Sequence, residues 1–150
     1  MPIELQQASN VLFACTMNAV RSPMAAALMR HLAGEGVYVE SAGVKAGALD
    51  PLAVEAMAEI GLKIGQHRPR CFEDLEDGSF DLVITLSPEA QHKAVELTRT
   101  AATQVEYWPT IDPTAVEGSR EQRLAAYRAV RDQLAERLKQ RFSGLSGPDS

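Results

Sequence analysis

The sequence predicts an α/β fold: a single domain with a four-stranded parallel sheet and helices on both faces. Three observations predict it. Short apolar runs alternate four times with segments of helical periodicity, as in βαβ units. Each run is followed by a helix-start signal: Ser22-Pro23, Asp50-Pro51, Ser87-Pro88 and Ser119. The 150 residues suit one domain, and neither an internal repeat nor a linker divides them.

The first strand is Val11 to Cys15. A polar loop, Thr16 to Arg21, follows, and Ser22 is expected to cap a helix with Pro23 in its first turn. Ala25, Leu28, Met29 and Leu32 recur at helical spacing until Gly34 stops them. Val37 to Val39 starts the second strand and leads into Ser41-Ala42-Gly43. Asp50-Pro51 opens the second helix, with Val54, Met57, Ala58 and Ile60 as its expected inner face and Gly61 as its stop. Residues 61–79 read as irregular. Phe80 to Leu86 is a buried strand, Ser87-Pro88 opens a third helix to about Thr98, and Val105 to Trp108 is the fourth strand. Ser119 and Gln122 match a capping box at the head of the longest helix, with Leu124, Tyr127, Val130, Leu134 and Leu138 facing inward. The domain is expected to span residues 1–142. The tail 143–150 carries two Gly and one Pro and is expected to fray.

Composition bounds the function. Apolar residues make up 45% and charged residues 23%, which is globular usage. Fifteen basic against twenty acidic residues leave −5, which argues against nucleic acid or anionic membrane as partner. No apolar run approaches transmembrane length, and Met1 to Asn10 lack the basic start of a secretory signal. Two cysteines make no disulfide scaffold and fit a reducing cytoplasm, the expected location. His31, His67 and His92 lack ligand-like spacing, so neither metal nor other cofactor is expected.

The chemistry concentrates at Cys15-Thr16-Met17-Asn18-Ala19-Val20-Arg21-Ser22. A loop that wraps before a helix N-terminus turns backbone N–H groups toward an anion. Arg21 adds a planar fork for two oxygens. The same positive field favours the thiolate of Cys15, placed beneath a bound phosphate for in-line attack. Asn18 tolerates a left-handed backbone and is suited to pin the loop. A leaving oxygen needs a proton, and Asp112, in Pro109 to Pro113 just after the fourth strand, is the candidate donor on the same sheet edge. Pro113 keeps it out of helical geometry.

Strand–Cys-x5-Arg-Ser-Pro-Met-Ala–helix resembles the low-molecular-weight protein tyrosine phosphatases and the arsenate reductases that share their fold, a flavodoxin-like, phosphotyrosine phosphatase I-like architecture. The resemblance extends through Ser41-Ala42-Gly43, Asp50-Pro51, His67-Arg68, the third strand, Trp108 and Asp112-Pro113. It implies a phosphate-binding loop from Thr16 to Ser22, catalytic Cys15, Arg21 and Asp112, and loop support from Asn18, Ser22, Ser41 and His67. Ser22 would contact the Cys15 sulfur.

The resemblance implies a phosphomonoesterase that acts through a phosphocysteine on a phosphorylated substrate, phosphotyrosine included. An alternative is an arsenate reductase. Its thioredoxin-coupled forms relay oxidation through three cysteines, but Ser87 and Ala94 stand at the relay positions, so the reductant would be an external thiol such as glutathione. The other thiol, Cys71, reads as structural or incidental. The aromatic residues that wall a phosphotyrosine cleft are absent after Asp112-Pro113 and in Val44 to Leu49. Val20 replaces a second cysteine common in the phosphatases, and Met17 replaces their usual Gly, where a side chain is expected to distort the loop or narrow its mouth. A third alternative is therefore a non-catalytic oxyanion-binding module.

Overall fold

The structure, a computed structural model, describes residues 10–75, 80–99 and 102–142. The expected tail from Ser143 lies outside them. Strands β1 (Asn10–Cys15), β2 (Tyr38–Gly43), β3 (Leu82–Thr85) and β4 (Gln104–Tyr107) alternate with helices α1 (Arg21–Ala33), α2 (Pro51–Ala58), α3 (Pro88–Leu97) and α4 (Arg120–Arg141).

All four strands are parallel, in the order β2-β1-β3-β4. Cys15 pairs with Gly43, Ala14 with Thr85, and Thr85 with Tyr107, so the strands end level. The chain leaves β1 for β2 on one side and later returns to β3 on the other. The reversal of strand order therefore falls at β1, whose last residue is Cys15.

The period-two alternation of the strands divides the core. Val11, Phe13, Leu82 and Ile84 face the larger cluster, shared with α1, α2 and α4. Leu12, Ala14 and Val83 face a smaller one, with Ala90 and Ala94 of α3. Burial on both faces explains why β1 reads as a continuous apolar run.

The face expected for α4 is correct: Leu124, Tyr127, Val130, Leu134 and Leu138 are all buried. Its capping box forms as well, with Ser119 Oγ accepting from Gln122 N (3.1 Å) and Gln122 Oε1 from Ser119 N (2.8 Å). Gly118 is required there, because its φ is +129° and a Cβ would come within 2.3 Å of Gln122 Oε1.

Two local expectations need correction. In α2 the buried residues are Leu52, Ala53, Ala56 and Met57. Of the expected face only Met57 is buried: Val54 is half-buried, Ala58 is exposed, and Ile60 lies past the helix end. The helix packs against α4, where Arg131 Nη1 donates to Ala56 O (2.8 Å), and this contact sets its rotation. Nor does Ser22 cap α1. The helix already begins at Arg21, Val20 holds the cap position with no side-chain bond, and the Ser22 hydroxyl is used elsewhere.

Because Leu124 is 1% exposed in the α1–α4 side of the core, Leu124→Ala is expected to cost about 2–5 kcal/mol. Urea denaturation read at equilibrium checks this, and an unchanged midpoint would contradict the packing.

Candidate active site

Loop 16–20 joins the buried end of β1 to α1, and its conformation follows from where its carbonyls go. Residues 44–50 strap it from outside: Val44 N donates to Cys15 O (3.1 Å), Lys45 N to Thr16 O (2.9 Å), Gly47 N to Met17 O (2.9 Å) and Asp50 N to Ala19 O (3.3 Å). His67 Nε2 takes Asn18 O (3.3 Å). Five consecutive carbonyls are therefore turned outward. In trans peptides the following N–H points the opposite way. Among the described residues, the N–H groups of Met17, Asn18, Ala19 and Val20 have no hydrogen-bond partner. A cavity of about 350 Å3 opens here, lined by Cys15, Met17, Val20, Arg21 and, from other loops, Asp50 and Asp112.

The side-chain amide of Asn18 sets the polarity of the floor. Asn18 is fully buried with φ +54°. Its Oδ1 accepts from Arg70 N (2.9 Å), a backbone donor that fixes which end of the amide is oxygen. His67 Nε2 reaches the same oxygen (3.0 Å) and therefore carries the proton. The Nδ2 then donates to Ser22 Oγ (2.9 Å) and Ser41 Oγ (3.0 Å). Ser22 Oγ, which accepts from Asn18, also shares a hydrogen bond with the Cys15 sulfur at 2.9 Å, and its proton is within reach of Ala42 O (3.4 Å). Ser22 N–H donates to Sγ (3.4 Å), so the backbone and the side chain of Ser22 both meet the sulfur.

Arg21 stands at the mouth of α1, 8% exposed. Its Nη1 donates to Thr110 O (3.0 Å) and reaches Leu86 O (3.5 Å), beyond the ends of β4 and β3. One edge of the guanidinium is anchored and the rest is left to an anion. The anchor also ties Arg21 to the segment that leads into Asp112. Asp112 is extended (φ −82°, ψ 108°), and its Oδ1 accepts from Thr114 N (3.0 Å) and Thr114 Oγ1 (2.7 Å). Among the described residues Oδ2 has no partner. Asp112 is thus held by one oxygen, with the other available to carry a proton at the cavity.

The expected residues come together: Cys15, Arg21 and Asp112 line one cavity, and Asn18, Ser22, Ser41 and His67 form one connected brace behind it. Met17 does not disturb the strap. Its side chain is 43% exposed and lies along the rim, where a Cβ on Gly47 would meet its Cε at 3.1 Å. Thr16 reaches across the sheet edge, its Oγ1 donating to Ser87 Oγ (3.0 Å) or Glu89 Oε1 (3.1 Å). Gly43 must be glycine, because a Cβ there would lie 2.8 Å from Asn18 N.

Sequence reasoning missed three parts. Asp50 was legible only as a cap. It does accept from Leu52 N (2.9 Å), but it also lines the cavity and takes the Tyr127 hydroxyl at 2.6 Å. Burial and that carboxylate push the Tyr127 phenol above its ordinary range. The Arg70 amide and the strap 44–50 act through the backbone, which leaves no signature in side-chain chemistry. Cys71 lies outside the cavity. It pairs with Gly43, and its Sγ donates to Asp74 Oδ2 (3.2 Å), which pushes the thiol up. Both cysteines are free.

A thiol ringed by free amides, with a guanidinium beside it at the switch edge of a parallel sheet, defines an oxyanion-handling α/β enzyme. The chain belongs to the low molecular weight phosphotyrosine protein phosphatase family, whose model matches residues 10–147. It is 34% identical over 130 residues to an arsenate reductase of Bacillus subtilis, covering 87% of this chain and 92% of that one. Among solved structures it is similar to an arsenate reductase in the phosphate binding state (28% identity, 88% and 95% coverage, TM-score 0.68). It is also similar to a cysteine-to-serine mutant of the YwlE arginine phosphatase with a phosphorylated active-site serine (27% identity, 91% and 99% coverage, TM-score 0.70). Among the described residues no helix is long and apolar enough to cross a membrane.

Burial, reinforced by the charge of Arg30, lowers the His67 imidazole below its ordinary value of 6.5, while its bond to Asn18 opposes the shift. The unfolded chain takes up this proton near the ordinary value and the folded protein resists it. The contribution is therefore full above that pH and is lost as pH falls through it. Stability to urea, measured from about pH 7.5 down to about pH 5.5, is expected to fall less steeply in His67→Gln than in the wild type. Identical slopes would contradict this.

Proposed function

We propose that this protein is a cysteine-dependent phosphomonoesterase working through a phosphocysteine. The observation that carries the reading is the Cys15 sulfur, met by the Ser22 hydroxyl (2.9 Å) and the Ser22 N–H (3.4 Å), in one cavity with Arg21 and Asp112. The loop amides and Arg21 bind the non-bridging oxygens. The Cys15 thiolate attacks phosphorus, the bond from phosphorus to the leaving oxygen breaks, and Asp112 gives that oxygen its proton. Asp112, now a carboxylate, takes a proton from water. The water oxygen bonds to phosphorus, the S–P bond breaks, and phosphate leaves with the thiolate restored. The phosphorylated serine of the YwlE mutant supports covalent transfer at this position of the fold.

Met17, Val20 and Leu49 wall the cavity, and among the described residues no aromatic ring does. Without a ring to stack on phosphotyrosine, selectivity for that ester over other phosphomonoesters is expected to be small. Free thiols at Cys15 and Cys71 suit a reducing compartment such as the cytoplasm.

A second reading, arsenate reduction, is favoured by the arsenate reductases among the relatives. The chain has only two cysteines, and Ser87 is committed to capping α3, accepting from Ala90 N (3.2 Å). Reduction would draw its electrons from an external thiol, which would attack the arsenylated Cys15 and be oxidised to a disulfide as arsenite leaves.

Turnover of phenyl phosphate and of arsenate, side by side with and without glutathione, tests both. The proposal expects thiol-independent hydrolysis that Cys15→Ser abolishes and Asp112→Asn lowers roughly 10²–10⁴-fold in kcat. Arsenite formation with negligible hydrolysis would establish the second reading in its place.

A further inference from the structure

A second cavity, of about 480 Å3, lies between α1 and the segment after α2 and shares no lining residue with the one above Cys15. Ala27, Leu62 and Ile64 give it apolar surface. Arg30, His31, Lys63 and His67 bring four nitrogen-bearing side chains, and among the described residues no carboxylate lines it. Every carboxylate that forms an ion pair among the described residues is paired elsewhere, and neither Arg30, His31 nor Lys63 has an acidic partner. Arg30 spends one nitrogen on Val39 O (2.8 Å) and keeps the others. Arg30 and Lys63 thus bring positive charge to one cavity with no acidic partner there among the described residues, and like charges gathered without a counter-charge repel one another. A dianion would relieve this repulsion, with charge-assisted hydrogen bonds from the arginine and lysine.

We propose that this cavity is a second binding site, for a phosphate group, with Arg30, His31 and Lys63 as its donors. The site is independent of the reaction assigned to Cys15. Its apolar surface is suited to the body of a small phosphomonoester, and free phosphate would use the basic groups alone. The occupant would border His67, which also donates to Asn18, so His67 reports on both cavities and His31 on this one only.

The test uses the Cys15→Ala protein, which has neither a sulfur nor a hydroxyl at that position to take phosphate from the probe. The ring resonances of the three histidines are followed by NMR during titration with inorganic phosphate and, separately, with phenyl phosphate. The His31 resonance is expected to move and saturate, while that of His92, exposed on α3 and paired with Glu96, stays in place. Tighter binding of phenyl phosphate identifies a phosphomonoester as the ligand, and equal binding identifies free phosphate. Lys63→Glu, an exposed change that leaves the core intact, is expected to weaken the His31 response by about tenfold or more. A His31 resonance unmoved by either probe, or a response equally strong in Lys63→Glu, would overturn the proposal.

Discussion

The side-chain amide of Asn18 is the constraint on which the site depends. It is buried, sits in left-handed backbone, and has both ends fully used: oxygen to Arg70 N–H and His67, nitrogen to Ser22 and Ser41. A backbone donor cannot reverse its polarity, so the Arg70 amide fixes which end of the Asn18 amide faces Ser22 and Ser41. The Ser22 hydroxyl held in this way is the one that meets the Cys15 sulfur at 2.9 Å. Without Asn18 the loop would lose both that hold on Ser22 and the residue that accepts its left-handed turn.

The sheet provides the frame for this order. The four strands end level, so segments far apart in sequence meet at one edge: loop 16–20 after β1, the strap after β2, Leu86 after β3, and Thr110 with Asp112 after β4. Arg21 draws the last two against the first, through carbonyls that any residue would supply. Cys15 and Asp112, the proposed nucleophile and proton donor, are thereby held toward one cavity, as positioned catalysis would require.

Much of this was legible in the residues. Strand–loop–helix order, the switch-edge location and the Cys15 to Arg21 spacing needed only apolar runs, turn signals and one thiol. Asp112 was legible because proline marks its loop. The start of α1 was not, because Ser22-Pro23 carries the chemistry of a cap while the helix begins one residue earlier and the hydroxyl goes to sulfur. The inner face of α2 was misjudged because a short helix of small residues has little periodic contrast, and its contact with α4 decides the rotation. The strap 44–50 left no trace, since backbone donors belong to every sequence. Met17 suggested a distorted loop or a narrowed mouth; its carbonyl is bonded to Gly47 as part of the strap, and its side chain lines the cavity at the rim.

The most direct test of the account is to trap the covalent step. The Asp112→Asn protein, lacking the base that activates water, is mixed with 32P-labelled 2,4-dinitrophenyl phosphate, whose leaving group departs without a proton, then quenched and digested to locate the label. The account predicts label on Cys15, approaching one per chain, and none in Cys15→Ala/Asp112→Asn. Hydrolysis that proceeds with no label on Cys15, or that persists in Cys15→Ser at the wild-type rate, would contradict it.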